Sequence, residues 1–309
     1  MASAASRFPL LEGESIGVVA SGFAVRRPAV RAGIERLTAL GFRVITGSRL
    51  FARDGYFAGS DRERAADLNR MFRHRTLRCI WFARGGYGTA RLLPLLDWDA
   101  LAERPKLLIG YSDVTALFAR VVGDGLAPCV YGPMVGELAD DAAFDASSLA
   151  GALCGEPVEI KFSPSRVLRH GRAAGPLMGG NLSVLAHLLG TPYAPRLAGA
   201  ILLLEDAGEE VYRLDRLLTH LALAGAFDGL AAVALGRFVV PETRRSYPPD
   251  RPFKTVLREL FAARGIPVVT DLPFGHIPRK YSLPLGALAE LDTRRGRLLV
   301  SGNYSTGRR

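Results

Sequence analysis

A serine follows directly on an apolar strand pattern in KLLIGYSDVTALFA, residues 106–119. The pattern predicts that the strand ends at Gly110 and that a helix begins at about Val114, so Ser112 lies on the tight turn between them. Such a turn exposes the serine Oγ, and the next backbone N–H can stabilise an oxyanion. The G-x-S-x-G motif is incomplete because Val114 replaces its second glycine. Ser112 is a candidate nucleophile, and a helix N-cap by Ser112 or Asp113 is the alternative.

A serine nucleophile needs a general base, and five histidines are available. His276 stands out because it follows an apolar strand pattern and adjoins Gly275 in a loop, where an imidazole can approach closely. The other four lie in helical patterns or among arginines: His74, His170, His187 and His220. An ordinary loop histidine is the alternative for His276.

The third member of a serine triad is a carboxylate that orients the imidazole. The apolar strand pattern of residues 200–206, AILLLED, ends in Glu205 and Asp206, and Glu209 and Glu210 follow. Acids in this position are also typical of helix starts and solvated surfaces. The residues alone therefore leave several acids open.

The glycine-rich segment RGGYG, residues 84–88, also follows a predicted strand. A strand, glycine loop and helix can hold a phosphate group. This segment lacks the G-x-G-x-x-G spacing and the phosphate-binding lysine, so it favours a plain tight turn over a nucleotide site.

Short apolar runs alternate with helical patterns in the first half of the chain, which indicates a parallel sheet covered on both faces. Strands are predicted at 15–20, 42–46, 78–83 and 106–110, and helices at 28–40, 61–73, 89–96 and 114–122. Functional residues in such sheets gather at the carboxyl ends of the strands. This rule points to residues 21–22, 84–88 and 111–113.

The alternation weakens after about residue 150. Residues 155–176 are rich in Pro, Gly and Arg, which predicts a linker or extended crossover into a second unit. That unit has strand patterns at 200–204, 230–235, 268–270 and 298–300 and helical patterns at 182–189, 212–224 and 253–264. Residues 244–252, RRSYPPDRP, predict an exposed loop.

Composition narrows the class of protein. The 309 residues are 49% apolar and 23% charged, which excludes disorder as the main state. The net charge of +10 favours acidic partners, but the arginines are scattered, so we expect no nucleic-acid partner. Three separated cysteines fit a reducing compartment, and neither a signal peptide nor an apolar run of about 18 residues is present. We expect a soluble, cytoplasmic protein with no membrane partner.

Taken together, the motifs strongly resemble those of the L,D-carboxypeptidase family. The resemblance extends in order from about residue 15 to residue 290 and includes 61–69 (DRERAADLN), 84–97 (RGGYGTARLLPLLD), 110–113 (GYSD), 179–190 (GGNLSVLAHLLG), 204–206 (LED), 212–216 (YRLDR), 275–276 (GH) and 283–286 (LPLG). Several motifs in the correct order are far more specific than any one of them.

The resemblance implies roles for the candidate residues. Ser112 matches the nucleophile, His276 the general base and Glu205 the orienting acid, because Glu205 is the first acid after the strand. The backbone amides of Gly86 and Asp113 are the expected oxyanion donors, and neither cofactor nor metal is expected.

The implied fold is α/β. We expect an N-terminal Rossmann-like parallel-sheet domain at 1–154 with the nucleophile and a linker at 155–175. A smaller, β-rich C-terminal α/β domain at 176–309 would carry the acid and the base, with the active site between the domains. The family also implies a homodimer.

The implied reaction is hydrolysis in murein tetrapeptides during peptidoglycan recycling. The bond joins an L-centre diamino acid, meso-diaminopimelate or L-lysine, to the terminal D-alanine. Such an enzyme must bind the free terminal carboxylate, and the candidate residues are Arg84, Tyr87, Arg279 and Lys280. Two alternatives are a microcin-immunity peptidase that cleaves aminoacyl- or peptidyl-nucleotide amides and a non-catalytic nucleotide- or sugar-binding protein.

Overall fold

The computed structural model describes residues 6–241, 251–262 and 264–304. The strands are β1 Ser6–Arg7, β2 Ser15–Val19, β3 Arg43–Thr46, β4 Leu77–Phe82, β5 Leu107–Gly110, β6 Cys129–Tyr131, β7 Val158–Lys161, β8 Val167–Arg169, β9 Arg172–Asn181, β10 Ile201–Ala207, β11 Ala232–Val239, β12 Val268–Val269, β13 Leu283–Leu285, β14 Ala287–Asp292 and β15 Arg297–Tyr304. The α-helices are α1 Arg27–Ala39, α2 Asp61–Arg73, α3 Trp98–Glu103, α4 Thr115–Gly123, α5 Ala146–Cys154, α6 Leu182–His187, α7 Val211–Leu223 and α8 Phe253–Ala262. Short 3-10 helices occupy Thr89–Leu95, Ser112–Val114, Val135–Glu137 and Pro164–Arg166.

The first sheet has six strands in the order β13-β6-β5-β4-β2-β3. Its five strands from the first half of the chain are parallel, and every residue of β2, β5 and β6 is buried. The apolar runs of the sequence therefore form the centre of a covered parallel sheet, as such runs do. Strand β13 comes from the other half of the chain and pairs antiparallel with β6.

The second sheet has nine strands, in the order β1-β15-β14-β9-β10-β11-β12-β8, with β7 also paired to β15. Strands β9, β10, β11 and β12 are parallel to one another, and the remaining pairs are antiparallel. The long strand β9 pairs with β14 through its first half and with β10 through its second half. The mixed α/β architecture is confirmed.

Two sequence expectations differ from the structure. The segment expected to be a linker, 155–175, contains β7 and β8 and the beginning of β9, all paired in the second sheet. The helix expected at 89–96 is a 3-10 helix that contains Pro94, which cannot donate a backbone hydrogen bond.

Most of the loop predicted at 244–252 lies outside the described residues. None of the described helices has the length and apolarity to cross a bilayer.

Candidate active site

Ser112 lies on a sharp turn between strand β5 and helix α4. Its φ angle is 61°, in the left-handed region that a non-glycine residue rarely occupies. Ser112 begins the 3-10 helix that leads into α4, and neither Ser112 nor Asp113 caps α4 with its side chain. The strained turn places Ser112 at the wall of a cavity, which is the arrangement of a nucleophile elbow.

The structure brings Ser112, His276 and Glu205 together from distant parts of the sequence. His276 Nε2 lies 3.0 Å from Ser112 Oγ, and His276 Nδ1 lies 2.7 Å from Glu205 Oε2. The short contact to the carboxylate places a proton on Nδ1 and leaves Nε2 to accept the serine proton. These three side chains have the relative geometry of a serine triad.

Glu205 is fully buried and its carboxylate is held by several donors. Tyr131 donates its hydroxyl to Glu205 Oε1 at 2.6 Å, and the His276 backbone N–H donates to Oε2 at 3.1 Å. Asn181 Nδ2 approaches Oε1 at 3.4 Å. Burial and the adjacent carboxylate raise the pKa of Tyr131 well above its usual value, so the hydroxyl stays a donor. These donors fix the orientation of the Glu205 carboxylate.

The loop that carries His276 passes directly over the Glu205 carboxylate at Gly275. A Cβ atom added to Gly275 would lie 2.4 Å from Glu205 Oε2, and the φ angle of Gly275 is +95°. Only glycine meets both conditions without strain. The glycine beside His276 thus permits the close approach that the sequence pattern indicated.

Two opposing effects act on the pKa of His276. Burial lowers it, whereas the hydrogen bond to Glu205 and the negative charge of that residue raise it more, so the pKa of His276 stands above its usual value. Glu205 therefore stabilises the imidazolium that forms when the histidine takes a proton.

The Asp113 side chain holds the glycine loop in place. Its carboxylate accepts hydrogen bonds from the Gly88 and Thr89 backbone N–H groups, at 3.3 and 2.9 Å, and from Thr89 Oγ1 at 2.7 Å. Burial raises the pKa of Asp113, although these donors oppose the shift. An added Cβ on Gly85 would lie 3.1 Å from Ser112 Oγ, so the loop packs against the serine.

Ser112 and His276 line a cavity of about 350 Å³. The other lining residues are Phe23, Arg26, Ala29, Val30, Ala83, Arg84, Gly85, Gly86, Tyr111, Met134, Gly136 and Glu137. Tyr111 packs against the imidazole with ring centroids 4.9 Å apart and donates its hydroxyl to Glu137 at 3.0 Å. This volume suits the end of a peptide.

The substrate-binding candidates separate into two groups. Arg84 lines the cavity, whereas Tyr87 and Arg279 are exposed and do not line it. Lys280 is buried, and its ammonium pairs with Glu137 at 2.7 Å. Among these four, Arg84 is the side chain that the structure places beside Ser112.

The other acids considered in the sequence lie elsewhere. Asp206 is buried and accepts hydrogen bonds from the backbone and side chain of Ser183, at 2.8 and 2.7 Å. Glu209 and Glu210 both pair with Arg213 on helix α7. Of the four acids, Glu205 alone contacts His276 within the described part of the chain.

Sequence reasoning missed three residues of this site: Arg26, Tyr131 and Asn181. Arg26 lines the cavity from the start of helix α1. Tyr131 and Asn181 contact Glu205, and each ends a strand of a different sheet. A hydroxyl at the end of the apolar run that forms β6 was the available signal for Tyr131.

Comparison with known proteins gives the family of the chain. A family model described as the LD-carboxypeptidase N-terminal domain matches residues 16–132, and one described as the LD-carboxypeptidase C-terminal domain matches residues 174–291. The chain belongs to the LD-carboxypeptidase family. It is therefore a hydrolase, a carboxypeptidase of the serine type.

Individual relatives of the carboxypeptidase cover nearly its whole length. A putative carboxypeptidase from Synechocystis is 36% identical over 291 residues, which are 94% of this chain and 95% of the relative. The crystal structure of muramoyltetrapeptide carboxypeptidase from Oxalobacter formigenes is 32% identical, with a TM-score of 0.84 over 94% of this chain and all of that chain. The microcin C7 self-immunity protein of Escherichia coli is 28% identical over 331 residues, with 96% of this chain and 95% of that protein covered.

Proposed function

We propose that Ser112, His276 and Glu205 are the catalytic triad of this carboxypeptidase. Ser112 Oγ attacks the carbonyl carbon of the scissile amide while His276 Nε2 takes the hydroxyl proton. Glu205 stabilises the resulting imidazolium and holds the ring. Two short contacts carry this proposal: 3.0 Å from Ser112 Oγ to His276 Nε2, and 2.7 Å from His276 Nδ1 to Glu205 Oε2.

The oxyanion of the tetrahedral intermediate is held by the backbone N–H groups of Gly86 and Asp113. Within the described residues, the Gly86 N–H makes no hydrogen bond to protein, and Gly86 lines the cavity. Collapse of the intermediate breaks the C–N bond as His276 returns the proton to the departing amine. A water molecule then hydrolyses the acyl-enzyme by the same proton transfers in reverse order.

The substrate is a murein tetrapeptide, and the leaving amine is its terminal D-alanine. The similarity to muramoyltetrapeptide carboxypeptidase supports this choice. Arg84 and Arg26, the two arginines that line the cavity, are the proposed partners of the terminal carboxylate, since guanidinium groups bind carboxylates with two parallel hydrogen bonds. The acyl group that stays on Ser112 ends in an L-centre diamino acid.

The reaction belongs to peptidoglycan recycling, in the cytoplasm. The three cysteines are free in the structure, and two of them are buried, which fits a reducing compartment. The homodimer implied by the family stays a prediction, and light scattering in solution tests it.

Mass spectrometry of purified muropeptides tests the proposed function. We expect release of D-alanine from the tetrapeptide and none from the pentapeptide. Replacement Ser112→Ala removes the nucleophile and should lower kcat by a factor on the order of 10⁶. Near-normal release by that variant would show that the nucleophile lies elsewhere.

The similarity to the microcin C7 self-immunity protein supports a second candidate, hydrolysis of an aminoacyl-nucleotide amide by the same triad. Incubation with an aminoacyl sulfamoyl-adenosine, in parallel with the tetrapeptide, separates the two reactions. Both reactions use Ser112 as the nucleophile, so a serine-directed reagent should modify Ser112 in either case.

A further inference from the structure

A groove rich in arginine adjoins the active-site cavity. It has a volume of about 550 Å³ and shares Phe23, Arg26 and Arg84 with the cavity that contains Ser112. Arg27 and Arg53 also line it, together with Phe51 and Gly55. A molecule bound at Ser112 can therefore extend into this arginine groove.

The groove concentrates positive charge without a carboxylate. Four arginines line it, and no Asp or Glu is among its lining residues. Asp54 is adjacent to Arg53 in the sequence but does not line the groove. Within the described part of the chain, none of the four arginines has an acidic partner within 4.0 Å, whereas Arg73 and Arg91 outside the groove both pair with aspartates.

Three of these guanidinium groups are anchored by backbone carbonyl groups. Arg27 donates to Phe51 O at 2.9 Å, Arg53 to Gly55 O at 3.1 Å and Arg84 to Ala24 O at 2.7 Å. A guanidinium has five N–H donors, so each keeps further donors for a ligand. Because these side chains are already held in place, they lose less conformational entropy when an anion binds.

The ligand that fits these groups is a carboxylate, which accepts paired hydrogen bonds from arginine. The two diamino acids considered for the third peptide position differ in this group. The side chain of meso-diaminopimelate ends in an ammonium and a carboxylate, whereas that of L-lysine ends in an ammonium alone. A groove with four arginines and no acid attracts the first and repels the second.

We propose that the arginine groove is the subsite for the side-chain carboxylate of the third residue, and that it makes the enzyme selective for diaminopimelate over lysine. This inference rests on the proposed tetrapeptide substrate. Arg27 and Arg53 are its dedicated residues, since Arg26 and Arg84 also line the catalytic cavity.

Steady-state kinetics with matched tetrapeptides tests the subsite. The peptides carry meso-diaminopimelate, its side-chain carboxamide or L-lysine at the third position and are otherwise identical. We expect kcat/KM for the diaminopimelate peptide to exceed both others by about tenfold, the effect of one charge-assisted hydrogen bond at a solvent-accessible site. Equal values for the carboxylate and carboxamide peptides would overturn the inference.

Replacement Arg53→Ala should reduce this preference severalfold, and Arg53→Lys should keep more of it because the charge remains. Arg49→Ala is the matched control, since Arg49 is an exposed arginine that pairs with Glu63 and does not line the groove. An unchanged preference in both Arg53 variants, or an equal loss in the control, contradicts the subsite. Failure of the proposed function looks different, because then none of the three peptides releases D-alanine.

Discussion

Tyr131 joins the nucleophile turn to the acid through one hydroxyl group. The hydroxyl accepts the Ser112 backbone N–H at 3.3 Å and donates to Glu205 Oε1 at 2.6 Å. Ser112 and Tyr131 belong to the first sheet and its loops, whereas Glu205 is on β10 of the second. We infer that Tyr131 is a positioning residue, which acts by fixing the orientation of the carboxylate and not by touching the substrate.

Replacement Tyr131→Phe should lower kcat by about 10- to 100-fold with little change in KM. In this variant Glu205 Oε1 loses the Tyr131 hydroxyl. Asn181 Nδ2, at 3.4 Å, is then its one remaining side-chain partner among the described residues. The carboxylate then interacts more strongly with the imidazolium, which raises the pKa of His276 further. Because the base must be neutral, the acidic limb of the kcat/KM profile should move to higher pH.

Tyr304→Phe is the matched control for that variant. The Tyr304 hydroxyl is buried on β15 and has no hydrogen-bond partner within the described residues, so its removal costs no hydrogen bond. We expect its kinetics and pH profile to equal those of the parent enzyme. If Tyr131→Phe behaved like this control, the hydroxyl would have no part in positioning Glu205.

The three side chains of the proposed triad could be predicted because each has a recognisable position in the local sequence. Ser112, Glu205 and His276 each follow or end an apolar strand pattern, where parallel sheets place functional groups. The choice of Glu205 over Asp206 came from the family resemblance, since both acids end the same run. Tyr131 and Asn181 were not predicted: the hydroxyl at the end of the β6 run was the one local signal for Tyr131, and their contacts to Glu205 join residues that are 74 and 24 positions apart in the chain.

At the scale of elements, the strands and amphipathic helices that the sequence predicted lie within a few residues of their observed bounds, whereas strands β9, β13 and β14 and helices α3 and α5 were not predicted. Strands β7 and β8 were missed because they are only four and three residues long and lie in a segment rich in Pro, Gly and Arg, and such strands become stable only by pairing with distant partners. The 3-10 helix at 89–95 was predicted as an ordinary helix because its apolar spacing outweighed the signal of Pro94.

The loop after β12 has to pass over the Glu205 carboxylate, so its glycine is under steric constraint. In Gly275→Ala the new Cβ would lie within 2.8 Å of three Glu205 atoms, and Tyr131 and His276 keep that carboxylate from moving aside. We expect kcat to fall by about 100-fold or more, since a displacement of about 1 Å in a catalytic group has this effect. Tetrapeptide kinetics measure the fall in kcat, and thermal unfolding measures the effect of the clash on stability.

Gly199→Ala is the control that distinguishes the effect of this clash from the effect of backbone strain. Gly199 has a positive φ angle of +76°, but no described atom lies within 4 Å of an added Cβ. Its alanine variant should lose about 1–2 kcal/mol of stability with unchanged kcat. A Gly275→Ala enzyme with the same modest loss and full activity would show that the loop relaxes away from Glu205.

At the scale of the whole molecule, the active site is shared between the two sheets. Ser112 and the glycine loop at residues 84–88 follow strands of the first sheet, whereas Glu205 and His276 come from the second half of the chain. Strand β13, which follows His276, returns to pair with β6 beside Tyr131. The boundaries predicted at 1–154 and 176–309 do not coincide with the two sheets, because β1 lies in the second sheet and β13 in the first, and we predict that neither half is active without the other.

A fragment of residues 1–154 should not unfold cooperatively on its own. It lacks β13, so the edge of β6 loses its partners and the fully buried side chains of Cys129, Val130 and Tyr131 lose their cover. Near-UV circular dichroism during heating measures this, and the full chain is the reference. A fragment extended through a flexible linker by residues 281–286 restores the missing strand and should regain part of the transition. A sharp transition in the unextended fragment at the temperature of the full chain would show that β13 adds nothing to the stability of the first sheet.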